Sequence, residues 1–249
     1  MLYAYEVYEV ILDLCRKDKR GRSLAPEEYN RTARLVNEMV FSKYFAKFES
    51  TPENSETMSA FKVLNESIPI VAGIGALPAR FYHLVGMPRY TDLGGVSRYL
   101  DLVTSMEHAK RQRDYLTQAS LTYPTCRFGT VNAASDMTLY IEPTAGVTPI
   151  YIDYIRTPDV PYLDYYVNDT TLVYTWMASG VNVNVPSGST AMDGTVGAAV
   201  VASDTVNWEF DDEDMPMIIN LFLKFLGIQL PSPELFEGGT LLETKEEEQ

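Results

Sequence analysis

The chain has 249 residues, 46% of them hydrophobic and 22% charged, which is enough for one large domain or two small ones with a core and excludes a disordered composition. Its formal net charge of −14 argues against a general nucleic-acid-binding surface, because affinity for phosphate comes from Lys and Arg. No uncharged stretch is apolar enough to span a bilayer, and Glu6 and Glu9 in the first helical turns argue against a secretory signal.

Residues 3–19 read as a helix, with Val7, Val10, Ile11 and Leu14 on one face and Glu6, Glu9, Asp13 and Lys17 on the other. A basic turn, 16–22, follows, with Gly21 as the chain reversal. Pro26 then opens a second helix with acids in its first turn and Tyr29, Ala33, Val36, Val40 and Tyr44 as its apolar face. Residues 1–48 are therefore expected to be a helical hairpin, and 49–60, polar and carrying Pro52, a loop.

Short segments rich in Val, Ile, Tyr and Thr come next, between Gly and Pro breaks: 68–72, 80–85, 126–131, 137–141 and 149–156. Residues 150–155 are apolar enough for a strand buried on both faces, and the spacing predicts a hairpin with 137–141 across Pro143-Thr144-Ala145-Gly146. Residues 106–116 are the best further helix. The stretch 158–206, with Tyr162, Tyr165 and Tyr166 near its start and alternation at 181–185, reads as a hairpin insertion.

Residues 208–227 look like the organising element of the chain. Trp208-Glu209-Phe210 alternates as a strand end does. Asp211-Asp212-Glu213-Asp214 then suits a helix N-terminus, Pro216 fits only near the start, and Gly227 supplies a stop. Only Asn220 and Lys224 are polar between 217 and 226, so the helix should be buried nearly all round, with those two on its least buried side. The tail, 228–249, is acidic, yet carries Leu235-Phe236 and Leu241-Leu242; apolar pairs on such an arm suggest anchors that dock elsewhere. The expected architecture is α+β: a helical bundle of 1–48 plus 211–228, an inserted β-rich domain at 61–210 with its hairpin insertion at about 158–206, and an extended acidic tail at 229–249.

Local signatures of chemistry are sparse. His83 and His108 have no metal-ligand spacing, and there is no GxSxG elbow or P-loop. Gly73-Ile74-Gly75 lacks the third glycine and downstream acid of a dinucleotide site and reads as a turn. Helix-start electrostatics accounts for 211–214 without a metal. Cys15 and Cys126, far apart and without CxxC spacing, read as buried thiols of a reducing compartment. No catalytic residue, cofactor or metal is expected.

Several segments, in order, resemble neck proteins of crAss-like phages and related Bacteroidota podoviruses. They are Tyr5-Glu6-Val7-Tyr8-Glu9-Val10, Leu24-Ala25-Pro26-Glu27-Glu28-Tyr29-Asn30, Leu77-Pro78-Ala79-Arg80-Phe81-Tyr82-His83-Leu84, Tyr123-Pro124-Thr125-Cys126, Ile150-Tyr151-Ile152-Asp153-Tyr154-Ile155-Arg156-Thr157-Pro158, and Trp208-Glu209-Phe210-Asp211-Asp212-Glu213 before an apolar helix. The chain departs from the family at Ala25, where a Ser cap is usual, in the long insertion, and in the acidic tail.

The resemblance implies a non-catalytic subunit of the head-to-tail connector, in the virion after assembly in the host cytoplasm. Such a subunit is similar to podovirus head-tail adaptors and forms a ring, usually twelvefold, with the portal and a neighbouring ring or tail protein as partners. Genomic DNA passes through the lumen without specific binding, and no membrane is involved. Interface candidates under this reading are Phe222, Phe225, Leu235, Phe236, Leu241, Leu242, Arg20 and Arg22. The alternatives are a tail-tube or other tail-associated ring component, or a β-rich host-glycan-binding module using the Tyr162–Tyr166 cluster and Trp176.

Overall fold

The computed structural model describes residues 2–17, 24–50, 58–92, 95–114, 116–130, 137–144, 149–197 and 199–227. The chain is α+β and divides into two compact units, Met1–Ser50 with Pro158–Gln249, and Thr51–Thr157.

The first unit opens with helices α1 (Ala4–Lys17) and α2 (Pro26–Ser50). In α1, Ala4, Val7, Tyr8, Ile11 and Cys15 are buried, at the spacing that puts them on one face. In α2 the buried row is Tyr29, Ala33, Val36 and Val40, as the periodicity predicts, with Tyr44 half-buried at its end. The helix runs on to Ser50, two residues beyond the expected end of the hairpin.

The second unit is built from ten strands among the described residues: β1 (Lys62–Ile68), β2 (Ile70–Val71), β3 (Ile74–Ala76), β4 (Phe81–Leu84), β5 (Arg89–Thr91), β6 (Ser97–Tyr99), β7 (Asp101–Leu102), β8 (Thr125–Thr130), β9 (Met137–Glu142) and β10 (Ile150–Arg156). A short helix, α3 (Ser105–Arg111), lies between β7 and β8. One sheet runs β1-β10-β5-β6, with β4 also on β10; the other runs β2-β3-β9-β8-β7. Every pairing is antiparallel except β7 with β8. The two sheets share one core of Ile68, Tyr90, Leu100, Cys126, Leu139, Ile141, Ile150, Ile152 and Tyr154.

The expected hairpin between 137–141 and 150–155 does not form. β10 already has β1 on one edge, from Lys62 opposite Ile155 to Ile68 opposite Ile150, and β4 and β5 on the other. No edge is left for β9, which pairs with β3 and β8 instead. Burial of β10 is uneven between its faces: Ile150, Ile152 and Tyr154 are buried on one, whereas on the other Tyr151 and Asp153 are half-buried and only Ile155 is buried. Asp153 uses that open face to accept hydrogen bonds from the Asn65 amide (2.7 Å) and the Arg89 guanidinium (2.9 and 3.1 Å). The turn expected at Gly73 is present, at φ 79°, where a side chain would be strained.

After Thr157 the chain rejoins the helices, which corrects the expected boundary: 158–206 groups with α1 and α2, not with the β-rich unit. Strands β11 (Tyr165–Asn168), β12 (Tyr174–Trp176) and β14 (Ser189–Ala191) form one small sheet with β11 central, and β13 (Asn182–Asn184) pairs with β15 (Val200–Ala202). The physical reason is a row of polar side chains on α2. Asn30 donates to the Leu163 carbonyl (3.0 Å) and accepts from the Leu163 amide (2.9 Å). Asn37 donates to the Asp159 carbonyl (3.2 Å), and Glu27 accepts from the Tyr165 hydroxyl. These pairs satisfy backbone groups that would otherwise be stranded next to a helix.

Helix α4 (Met215–Leu226) closes the first unit. Asp211 and Asp214 form a reciprocal capping box over a short 3-10 turn, Asp212–Asp214, so the acid cluster does the helix-start work expected of it. Gly227, at φ 65°, ends the helix with its amide on the Leu223 and Lys224 carbonyls. Among the described residues no helix is long and apolar enough to cross a membrane.

Candidate functional site

An aromatic cluster holds the first unit together and shapes its surface. Trp208 is fully buried and its backbone amide donates to the Leu2 carbonyl (3.0 Å). Its indole N–H donates to the Tyr29 hydroxyl (3.1 Å), which in turn donates to the Ala4 carbonyl (3.0 Å). Burial pushes the Tyr29 phenol well above its usual pKa, only partly offset by the indole N–H. Tyr29 stacks on Phe222 at 5.1 Å and 7°. Phe222, expected at a subunit interface, is therefore a core residue of its own unit; the correction follows from its complete burial.

Helices α2 and α4 run antiparallel. The Tyr44 hydroxyl, near the end of α2, donates to Asp214 at the start of α4, whereas Tyr29, near the start of α2, meets Phe222 near the end of α4. Burial raises the Asp214 pKa, opposed by that phenol and by the Asp211 amide. Of the two residues expected on the least buried side of α4, Lys224 is exposed and Asn220 half-buried. Phe225, one of the interface candidates, is 46% exposed beside Lys224.

Phe225 lines an open groove of about 600 Å³ with Leu35, Glu38, Met39, Ser42, Lys43 and Ala46 of α2. Leu35 and Met39 went unnoticed in the sequence because α2 was read for a single buried face. The available signal was an apolar pair at i, i+4 lying off the row 29, 33, 36, 40.

A second groove, of about 470 Å³, lies against β12. Trp176 is parallel to Tyr174 (6.3 Å, 4°) and edge-on to Tyr8 (4.6 Å). Glu9, Asp13 and Arg16 of α1 also line it, with Leu12, Leu24, Leu172 and Val173. Of the tyrosines in the predicted stacking cluster, Tyr165 is buried and Tyr162 and Tyr166 half-buried; the exposed ring is Tyr174. Tyr8 donates to the Leu24 carbonyl (2.8 Å), and burial raises its pKa to about 12.

The second unit carries a third feature. Helix α3 is shorter than the expected 106–116, and none of its residues is buried. Thr104 caps it by accepting from the Glu107 amide (3.2 Å), and Arg111 ties it to Asp101 (2.5 Å) while pairing with Glu107 within the helix (2.6 Å). Met106 on it, and Tyr99, Leu102, Leu121 and Tyr123 in the segments that flank it in the chain, are all exposed. His108 faces Glu142 at 3.3 Å and His83 is an exposed residue of β4. Among the described residues no group of three or more His, Cys, Asp or Glu is placed to hold a metal ion. Both thiols, Cys15 and Cys126, are buried.

Arg20, Arg22, Leu235, Phe236, Leu241 and Leu242 lie outside the described residues. Comparison with protein-family models finds no match to this chain, and comparison with curated proteins finds none either.

Proposed function

We propose that the chain is a structural subunit of a homo-oligomeric ring in the head-to-tail connector of a tailed phage, linking portal to tail around the DNA exit channel. The observation that carries the reading is the α3 segment. Seven residues of helix are marginal alone in water. Here they are capped and ion-paired, yet bury nothing, and they carry exposed Met106, with exposed Tyr99, Leu102 and Tyr123 in the segments that flank them in the chain. A neighbouring subunit would cover such a surface, and a closed ring needs faces of this kind that fit a different face next door. The family resemblance supports the same reading. At −14 per subunit, acids along the lumen would let DNA slide without sticking.

Mass photometry and an axial cryo-EM class average test this directly. The expected result is a ring, of about twelve subunits if it follows adaptor symmetry. A chain that stays monomeric with and without portal protein overturns the reading, and a lumen lined mainly by Lys and Arg overturns the charge argument.

One observation favours a second reading. Tyr174 and Trp176, parallel beside Glu9, Asp13 and Arg16, resemble a stacking platform for a sugar ring with polar groups for its hydroxyls. Glycan-array binding lost on Trp176→Ala would favour it; an empty array alongside a ring would remove it.

A further inference from the structure

We infer that the groove between α2 and α4 is the docking site of the chain's own C-terminal arm, residues 228–249, folded back on the same subunit. The groove is apolar along Leu35, Met39, Ala46 and Phe225, three of them large side chains that are exposed. Such a row on a helix pair is the usual acceptor for a segment with spaced apolar anchors. The arm supplies two anchors, Leu235-Phe236 and Leu241-Leu242.

Place and direction fit. Phe225 lines the groove and the described chain ends at Gly227, two residues later, so the arm starts beside its acceptor. Because α2 and α4 are antiparallel, that start lies toward the Leu35 end, and an arm that reverses at Gly227 runs toward Ala46. From Leu35 to Ala46 the groove spans roughly 17 Å at the rise of a helix. The eight residues from Gly227 to Leu235 reach roughly 26 Å when extended, which brings the first anchor anywhere along it. A tether this short holds the arm at an effective concentration on the order of millimolar, which favours the same subunit over a neighbour in dilute protein.

Charge fits as well. Between residues 31 and 47, α2 carries Arg31, Arg34, Lys43 and Lys47 against the single acid Glu38, and α4 adds Lys224 beside Phe225. This is a basic seam on a chain of net charge −14. The arm carries six Glu and one Lys, with Glu234, Glu237 and Glu243 flanking its anchors. Glu38 is already engaged by Arg34 at 3.3 Å. The inference does not depend on the ring: an arm docked on its own subunit leaves the α3 surface available to a neighbour.

The test uses the full chain with Ser42→Cys and Glu237→Cys, oxidised mildly at low micromolar concentration. The expected product is a cross-link within one chain, of monomer mass and altered mobility. It should fall at least about tenfold when Leu235→Asp and Phe236→Asp remove the first anchor. The same two substitutions should raise binding of an apolar dye at least about twofold, because the seam becomes exposed. A cross-link found only between chains overturns the inference, as does a yield no higher than that of an Asp193→Cys, Glu237→Cys control or unaffected by the Asp substitutions. All of this can be read on monomeric protein, so failure here is separable from failure of the ring.

Discussion

The two units close their cores with different materials. In the first, large rings brought together from far apart in the chain tie aliphatic helix faces to one another: Leu2 bridges to Trp208, Trp208 bonds Tyr29, and Tyr29 stacks on Phe222. In the second, nine buried residues, mostly aliphatic, are spread over two sheets, and every strand partner lies within Thr51–Thr157. A core tied together through a few rings concentrates its vulnerability, whereas a core spread over two sheets divides it. The same contrast holds at the surface. The first unit leaves a groove beside its last helix, and the second holds out a whole helix.

Trp208→Ala is expected to do the most damage. It opens a cavity where the largest fully buried side chain sits and removes the indole N–H that the Tyr29 hydroxyl accepts from, for a cost of about 3–5 kcal/mol in urea unfolding. Phe222→Ala should cost about as much, and the double variant less than the sum, since the two rings lie 6.0 Å apart. Leu139→Ala, a fully buried residue of the second unit, should cost about 2–5 kcal/mol and less than Trp208→Ala, because removing a leucine leaves a smaller cavity. If Leu139→Ala proves the costliest, the contrast between the cores is wrong.

Much of the first unit was legible in the sequence. The helical period gave the buried face of α2 and half of that of α1, where Val7 and Ile11 are buried but Val10 and Leu14 only half-buried beside the unpredicted Tyr8 and Cys15. Asp211, Pro216 and Gly227 marked the ends of α4. These are local signals, carried by residues within a turn of each other. What was not legible depends on partners far away. Strand β1 breaks step between Val63 and Glu66, with Asn65 at φ 59°, so its pattern shows no alternation to read. The choice of β3 and β8 over β10 as partners of β9 is decided by which edges are already occupied. Placement of 158–206 depends on Asn30 and Asn37 bonding backbone more than 120 residues away, and no periodicity records that. The groove was missed because apolar residues off the main face look like ordinary surface.

Alkali should separate the units. Burial raises the Cys126 thiol in the second unit from 9.0 to about 12, and the Tyr8 phenol in the first from 10.0 to about 12. Each folded pKa lies above its unfolded value, so the associated stability is fully present below the unfolded pKa. It is lost as pH rises, from about 9 for Cys126 and from about 10 for Tyr8, at roughly 1.4 kcal/mol per unit. Both tryptophans, Trp176 and Trp208, belong to the first unit, so their fluorescence reports it alone. In a Cys15→Ala chain, reaction of Cys126 with a thiol reagent should accelerate at a lower pH than that at which the fluorescence changes. Simultaneous loss would mean that the units unfold together.

Tyr29→Phe is a smaller perturbation. Shape is kept, but the buried Trp208 indole N–H loses its acceptor and the Ala4 carbonyl loses a second donor beside its helical one, for a cost of about 1–3 kcal/mol. A neutral effect would mean that packing of the rings, not the bond between them, holds the first unit.

The smallest expected effect is the most discriminating for the groove. Phe225 is 46% exposed, so in a chain ending at Gly227 its replacement by Ala should cost no more than about 1 kcal/mol, as at other surface sites. In the full chain the arm would cover the rest of the ring, and at roughly 25 cal/mol per Å² the same substitution should cost about 1–2 kcal/mol more. Parallel urea titrations of the two chain lengths, each with and without Phe225→Ala, give the difference directly. Equal costs in both backgrounds would mean that the side of the first unit next to its last helix stays open to water, and that its core and its surface are independent features.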